Sequence, residues 1–192
     1  LDPNFEENKK IYIYQTNLEL KFFQNKVFSF TVDGDELVDV QTVIDDIPGA
    51  PWHDGGRIAF GPDEKLYITT GDAVNPGWSQ DLTSLAGKIL RINSDGTIPD
   101  DNPFDSSAIF SYGHRNPQGI AWNEDGLLVS SEHGPSGEMG YGHDEINVIV
   151  KGKNYGWPKV VGDSSDDSFV NPIIHSGEQT WAPSGMVYYS SD

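Results

Sequence analysis

Arg57-Ile58-Ala59-Phe60-Gly61-Pro62-Asp63-Glu64-Lys65-Leu66-Tyr67-Ile68 is echoed by Gly119-Ile120-Ala121-Trp122-Asn123-Glu124-Asp125-Gly126-Leu127-Leu128-Val129-Ser130. Each copy reads as a strand, a tight acidic turn and a second strand. A partial earlier copy is Leu1-Asp2-Pro3-Asn4 leading into Lys10-Ile11-Tyr12-Ile13-Tyr14, and a later one starts at Gly185-Met186-Val187-Tyr188-Tyr189. The spacing is about 60 to 65 residues, within the loose range of a propeller blade with one long loop. Around these copies the chain is rich in short strand-like runs, at 10–16, 27–32, 37–44, 57–60, 65–70, 88–92, 119–122, 127–130, 145–150 and 186–189. The single helix candidate is a short one at 80–85. An all-β protein follows. A β-sandwich also has short strands and turns, but the repetition of the turn chemistry favours a propeller.

At that period the chain holds about three blades, below the usual four to eight of a closed ring. An open set would leave blade faces unpaired. The 192 residues are therefore expected to be one partial propeller domain, 1–192, of a longer ring, or else copies associate as a homo-oligomer to complete it. The opening on Leu1 rather than Met fits a cut chain.

Thirty acidic and twelve basic side chains give a net charge of −18. That field repels phosphate backbones, so nucleic acid is not expected as a partner. It suits solubility, and equally the binding of hard cations such as calcium. The absence of cysteine rules out disulfides, thiol catalysis and cysteine-ligated zinc. No apolar run approaches the roughly 18 residues of a membrane helix, so no membrane span is expected.

Four stretches carry candidate chemistry. In Trp52-His53-Asp54-Gly55-Gly56-Arg57 a histidine precedes two glycines and a strand. A neutral ring nitrogen there can take the proton of an alcohol as hydride leaves its carbon; the plainer reading is a histidine bonded locally in its loop. Asp54 is the candidate to orient it, or is only a turn residue. Ser111-Tyr112-Gly113-His114-Arg115-Asn116-Pro117-Gln118-Gly119 reads as a rigid turn that delivers Arg115 and Asn116 to the mouth of a strand. Arg115 suits a carboxylate or an ortho-quinone oxygen, or else ties loop carbonyls together. His114 is read as structural.

Ser131-Glu132-His133-Gly134-Pro135 followed by Gly142-His143-Asp144-Glu145-Ile146-Asn147 offers loop carbonyls and hard carboxylates of the kind calcium takes, or is an acidic surface loop. Zinc is disfavoured by the lack of HExxH spacing. Lys151-Gly152-Lys153-Asn154-Tyr155-Gly156-Trp157-Pro158 is an aromatic-bearing turn, neither a phosphate loop nor a dinucleotide fingerprint. No G-x-S-x-G elbow of a serine hydrolase occurs.

Taken together and in order, these stretches resemble one family. The carriers are His53-Asp54-Gly55-Gly56-Arg57 with Gly61-Pro62-Asp63, Leu85-Ala86-Gly87-Lys88-Ile89-Leu90-Arg91-Ile92, Gly113 to Gly119, His133-Gly134-Pro135, Asp144-Glu145-Ile146-Asn147, Asn154-Tyr155-Gly156-Trp157-Pro158 and Trp181-Ala182-Pro183-Ser184-Gly185. The chain resembles the soluble quinoprotein glucose/sorbosone dehydrogenases, most closely the archaeal-type aldose sugar dehydrogenases. The resemblance implies a six-bladed β-propeller that binds pyrroloquinoline quinone (PQQ) and Ca2+. It implies oxidation of an aldose at C1 to a lactone, with electrons passed to an external acceptor other than oxygen or NAD, at an extracytoplasmic location. By motif position, His53 is implied as general base, Arg115 and Asn116 as cofactor contacts, and Gly134 and Pro135 as calcium ligands through their carbonyls. Glu145 and Tyr155 are implied as members of a second, structural calcium site.

Two departures accompany the resemblance. An aspartate precedes the base in the glucose-oxidising branch, and Trp52 stands there here, so the substrate pocket is expected to differ. The family's first segment, with a glutamine cofactor contact, falls before Leu1, and its later lysine and arginine contacts fall after Asp192. The chain alone is therefore expected to bind the quinone weakly. The competing expectations are a non-catalytic calcium-binding propeller module for carbohydrate or protein, and a calcium-dependent lactonase-type hydrolase.

Overall fold

A computed structural model describes residues 1–19, 21–136 and 140–190. Among these, eleven strands form three antiparallel sheets, with helix confined to one turn at Phe5–Asn8 and a 3-10 segment at Pro76–Gln80. No helix among the described residues is long and apolar enough to cross a membrane.

The first sheet is a meander of β1 (Lys10–Glu19), β2 (Phe22–Asp33) and β3 (Glu36–Pro48). The second orders β4 (Ile58–Phe60), β5 (Leu66–Thr70), β6 (Lys88–Ile92) and β7 (Ile109–Tyr112) side by side. The third is built from β8 (Pro117–Trp122), β9 (Leu128–Glu132), β10 (Glu145–Val148) and the short β11 (Ile174–His175).

The second sheet is the middle layer, and its sequence shows why. Every residue of β5 and β6 is buried. Alternate side chains feed two different cores, as the period-2 geometry of a strand requires. Leu66, Ile68, Leu90 and Ile92 pack towards Val27 and Ile47 of the first sheet. Tyr67 and Ile89 pack the other way, towards Ile120 and Leu128 of the third. The polar residues caught in this layer are fully bonded. Arg91 pairs with Asp63 and Asp101 at 2.8 Å each, and the Lys88 ammonium donates to the carbonyls of Trp78 (2.7 Å) and Ala86 (2.6 Å).

The two repeat copies form hairpins with the same pairing and turn closure. In the first, Ile58 pairs with Ile68 and the turn closes through Gly61 N–H to Lys65 O at 2.9 Å. In the second, Ala121 pairs with Val129 and Asn123 N–H reaches Leu127 O at 3.1 Å. Two expectations need correction. The helix lies at Pro76–Gln80, started by proline and tied by Lys88, rather than at 80–85. Residues 186–189 form no strand and join none of the three sheets. The partial copy at the start of the chain carries the one-turn helix Phe5–Asn8 and closes through Asp2 N–H to Lys10 O at 3.0 Å.

Candidate active site

The connections β3–β4, β5–β6 and β7–β8, with the turn after β10, meet at a common cleft. The first brings His53. Its backbone lies in the left-handed region, at φ 64°, which a non-glycine residue adopts only when its surroundings hold it there. Here Ala73 N–H donates to His53 O at 3.1 Å. The two chain segments run so close that a Cβ at position 71 would lie 1.8 Å from that carbonyl oxygen. Gly71 is thus the residue that lets β5 end beside the histidine.

Asp72 follows at once and is the pivot of the site. Its carboxylate is 1 % exposed. Oδ1 bonds His53 Nδ1 at 2.9 Å and Val74 N–H at 2.9 Å, while Oδ2 accepts from the Trp157 indole N–H at 2.9 Å. On the other side of the ring, Arg115 Nη2 approaches His53 Nε2 at 3.0 Å. A guanidinium can only donate. Nε2 therefore presents its lone pair, and the ring proton sits on Nδ1, facing Asp72. The imidazole is neutral, with its basic nitrogen turned towards the cleft.

Arg115 itself is nearly buried, at 7 % exposure. Burial works against its charge, and Asp72, Glu132 and Asp144 work for it. Nη1 also reaches His133 O at 3.3 Å, and the guanidinium lies 5.5 Å from the centre of the Trp157 ring. The loop that carries it is fastened from below by Glu132 at the end of β9. That carboxylate accepts from the backbone N–H of Arg115 and, at 3.2 Å, of Asn116. The Asn116 side chain accepts from Gly55 N–H at 3.0 Å, tying the arginine loop to the histidine loop.

Two cavities open here. The larger, about 570 Å3, is bordered by Trp52, His53, Asp72, Val74, Arg115 and Trp157, among others. The smaller, about 20 Å3, lies against Arg115, Glu132, Gly134, Pro135, Glu145 and Tyr155. The residues expected from sequence thus fall into two groups. His53 and Arg115 share the larger cleft, with Asn116 braced behind them. Gly134, Pro135, Glu145 and Tyr155 share the smaller cavity. Glu145 stands directly opposite Glu132 across the β9–β10 ladder. Burial, and then the charge of Glu132, push its carboxyl up to about 8. The Tyr155 hydroxyl is committed to its own turn, donating to Val148 O at 2.6 Å and accepting from Val150 N–H at 2.8 Å. Any part it takes in a metal site falls to its main chain. Among the described residues no three His, Asp or Glu side chains converge as a metal cluster.

Asp54 was expected either to orient His53 or to be only a turn residue. Asp54 instead turns inward, accepting from Asn25 Nδ2 at 2.9 Å and Ala50 N–H at 3.0 Å. Asp72 has the role, and Glu132 was also missed. Their shared signal is a carboxylate just at or past the end of a strand most of whose residues are buried. His114 is structural, as read: it is wholly buried and stacks on Tyr155 with ring centres 4.6 Å apart. Its Nε2 meets Ser111 Oγ at 2.8 Å and its Nδ1 meets Glu132 at 2.9 Å. This Ser-His-Glu line has the contacts of a hydrolytic triad, yet neither Ser111 nor His114 borders either cavity. It braces the arginine loop.

The family described as glucose/sorbosone dehydrogenase matches residues 1–192. The chain is 36 % identical to quinoprotein glucose dehydrogenase B of Acinetobacter calcoaceticus, over 87 % of this chain and 40 % of that protein. It is 36 % identical to aldose sugar dehydrogenase YliI of Escherichia coli, over 100 % and 57 %. It superposes on the PQQ-bound form of aldose sugar dehydrogenase from Streptomyces coelicolor with a TM-score of 0.90 at 38 % identity, covering 98 % of this chain and 55 % of that one. The chain spans about half the length of the curated relatives it matches.

Proposed function

The chain belongs to the glucose/sorbosone dehydrogenase family, and from that premise we propose that it supplies the base-bearing half of a PQQ- and calcium-dependent aldose dehydrogenase. In this reading the three sheets are blades of a six-bladed β-propeller, and an aldose is oxidised at C1 to its lactone. The electrons leave to an external acceptor other than oxygen. The observation that carries the reading is the line Asp72–His53–Arg115: a neutral imidazole whose free nitrogen meets a guanidinium in one open cleft.

The residues present fit the cofactor. The cleft offers a cation, Arg115, and an aromatic wall, Trp157, to a flat anionic quinone. The smaller cavity sets Gly134 and Pro135 beside two opposed carboxylates, Glu132 and Glu145, and a divalent cation there would relieve their repulsion. Gly134 and Pro135 would hold calcium through carbonyl oxygens, with Glu145 and Tyr155 contributing to a structural calcium site. When bound, pyrroloquinoline quinone supplies an ortho-quinone able to accept the two electrons and the hydrogen of C1.

The chain's own residues do the rest. A sugar O1–H displaces the Arg115 N–H as donor to His53 Nε2. Arg115 turns its freed N–H groups to anionic oxygen. His53 takes the O1 proton as the C1–H bond breaks and the C1=O1 bond of the lactone forms. Asp72 keeps the ring oriented and balances the imidazolium that results. Asn116 and Glu132 hold the arginine loop in register. The test is dye reduction by the full-length protein loaded with quinone and calcium. An artificial acceptor bleaches on addition of aldose and lactone accumulates. Lactone hydrolysis with no bleaching would overturn the reading in favour of a hydrolase.

A further inference from the structure

Resting on that dehydrogenase reading, we propose that Asp54 positions the base from behind: it points away from His53, and by tying the main chain beside the imidazole to the first sheet it fixes where Nε2 stands in the cleft. The ties are three. Asp54 Oδ1 accepts from Asn25 Nδ2 at 2.9 Å and from Ala50 N–H at 3.0 Å. Asp54 O accepts from the Tyr14 hydroxyl at 2.7 Å. Tyr14 lies on β1, Asn25 on β2, and Ala50 just past the end of β3. No described residue of the first sheet borders either cavity. That sheet reaches the chemistry through this anchor.

The histidine loop does not hold its own shape. His53, Gly55 and Gly56 all lie in the left-handed region, at φ 64°, 65° and 98°. The turn that meets it is no more relaxed: Ala73, whose N–H donates to His53 O, and Val74 have φ values of 49° and 61°. A β-branched residue there is an outlier that persists only where its surroundings impose it. Two imposed turns leaning on one another give no fixed frame. Asn25 supplies one. It is wholly buried, and its amide is fully committed: Nδ2 donates to Pro48 O at 2.9 Å as well as to Asp54, and Oδ1 accepts from Thr16 Oγ1 at 2.7 Å. A buried amide so engaged has one orientation. Tyr14 adds a second fixed point. Burial, and then the charge of Asp54, push its hydroxyl well above the ordinary range, so it remains a donor. Its ring packs on Gly56, where a Cβ would lie 3.3 Å from Cδ1.

The two aspartates thus divide the work. Asp72 sets the tautomer and rotation of the imidazole, and Asp54 sets the main chain that carries it. The contacts of Nδ1 with Asp72 (2.9 Å) and of Nε2 with Arg115 (3.0 Å) close together only for one placement of residue 53. A main-chain shift of about 1 Å opens both. On this account Asp54 acts as an acceptor, not through its charge.

The test reads the ring directly and needs no quinone. Full-length protein with 15N-labelled histidine is compared as wild type, Asp54→Ala, Asp54→Asn and Tyr14→Phe, with the His53 signal assigned by its loss in His53→Gln. The wild type should show one tautomer, protonated at Nδ1. Asp54→Asn should keep it, since an amide oxygen accepts the same two bonds. Asp54→Ala should show a mixture of both tautomers, and Tyr14→Phe a smaller admixture. In the loaded protein, kcat should fall about tenfold to a hundredfold in Asp54→Ala and about threefold in Tyr14→Phe, with quinone content unchanged. A residue that only stabilises the fold lowers the thermal midpoint and leaves the tautomer of the folded ring alone. That pattern in Asp54→Ala, or a loss in Asp54→Asn equal to that in Asp54→Ala, would overturn the proposal. If Asp54→Ala does not fold, Tyr14→Phe, which removes a single oxygen, decides by the same spectrum. Failure of the loaded wild type to oxidise any aldose would overturn the dehydrogenase reading instead, and the tautomer comparison then judges the anchor by itself.

Discussion

Asp72 carries more of the site than any other side chain, because one buried carboxylate fixes three things at once. It sets the tautomer of His53, the position of the Trp157 indole and the strained turn at Val74. Asp72→Asn keeps the shape but removes the charge that balances an imidazolium. The rate of acceptor reduction should fall about a hundredfold or more. Because two buried donors are also weakened, stability should drop by about 1–3 kcal/mol. Steady-state kinetics of the loaded full-length protein and its thermal midpoint measure the two effects separately. His53 and Arg115 were legible in the sequence because glycines and proline flank them, and such punctuation marks a chain forced into one conformation. Asp72 was not, because the one glycine before it reads as an ordinary strand end. Its importance lies in partners 19, 43 and 85 positions away in the chain. Asp54 drew attention by adjacency alone, and adjacency says nothing about where a side chain points in a left-handed loop.

At the scale of elements, the β9–β10 ladder sets Glu132 directly against Glu145. A carboxyl whose folded value lies near 8, against an ordinary 4.5, holds its proton more tightly folded than unfolded. Below about 4.5 both states are protonated and its contribution to stability is complete. Between about 4.5 and 8 the unfolded chain sheds the proton first, so stability falls as pH rises, by at most about 1.4 kcal/mol per pH unit. Calorimetry on chelator-treated protein should show the midpoint declining over that window. Glu145→Gln should flatten the decline, and millimolar calcium should offset it. A slope equal in wild type and Glu145→Gln would show that the pair is not the cause. The hairpins β4–β5 and β8–β9 were readable because each turn carries its own chemistry, acidic residues with glycine or proline. Strand β7 was missed because it runs into the turn residues Gly113–Asn116, and β11 because two residues give no period to read. The run at 186–189 has the composition of a strand, but composition supplies no partner.

For the whole molecule, charge and length set the expectation. Arg115 is the one cationic side chain bordering the larger cleft among the described residues, while the chain as a whole carries −18. A tricarboxylate quinone needs more compensation than one guanidinium gives. The 192-residue chain, titrated with quinone and calcium in a calorimeter, should therefore bind about a hundredfold or more weakly than the full-length protein. Tight stoichiometric binding by the chain alone would contradict this. The all-β class was plain from the sequence, through its density of turns and β-branched runs. The burial of both faces of the middle sheet was not, since it depends on which sheets flank it. The two apolar stripes of β5 and β6 record that sandwiching only once their neighbours are known.

On the proposed reading His53, held by Asp72 and facing Arg115, is the base that takes the sugar proton. The direct measurement is acceptor reduction by full-length His53→Ala loaded with quinone and calcium, with the bound cofactor confirmed by its absorbance. The rate should fall by about a thousandfold with cofactor binding retained. A variant that keeps the cofactor and turns over within about tenfold of the wild type would contradict the claim.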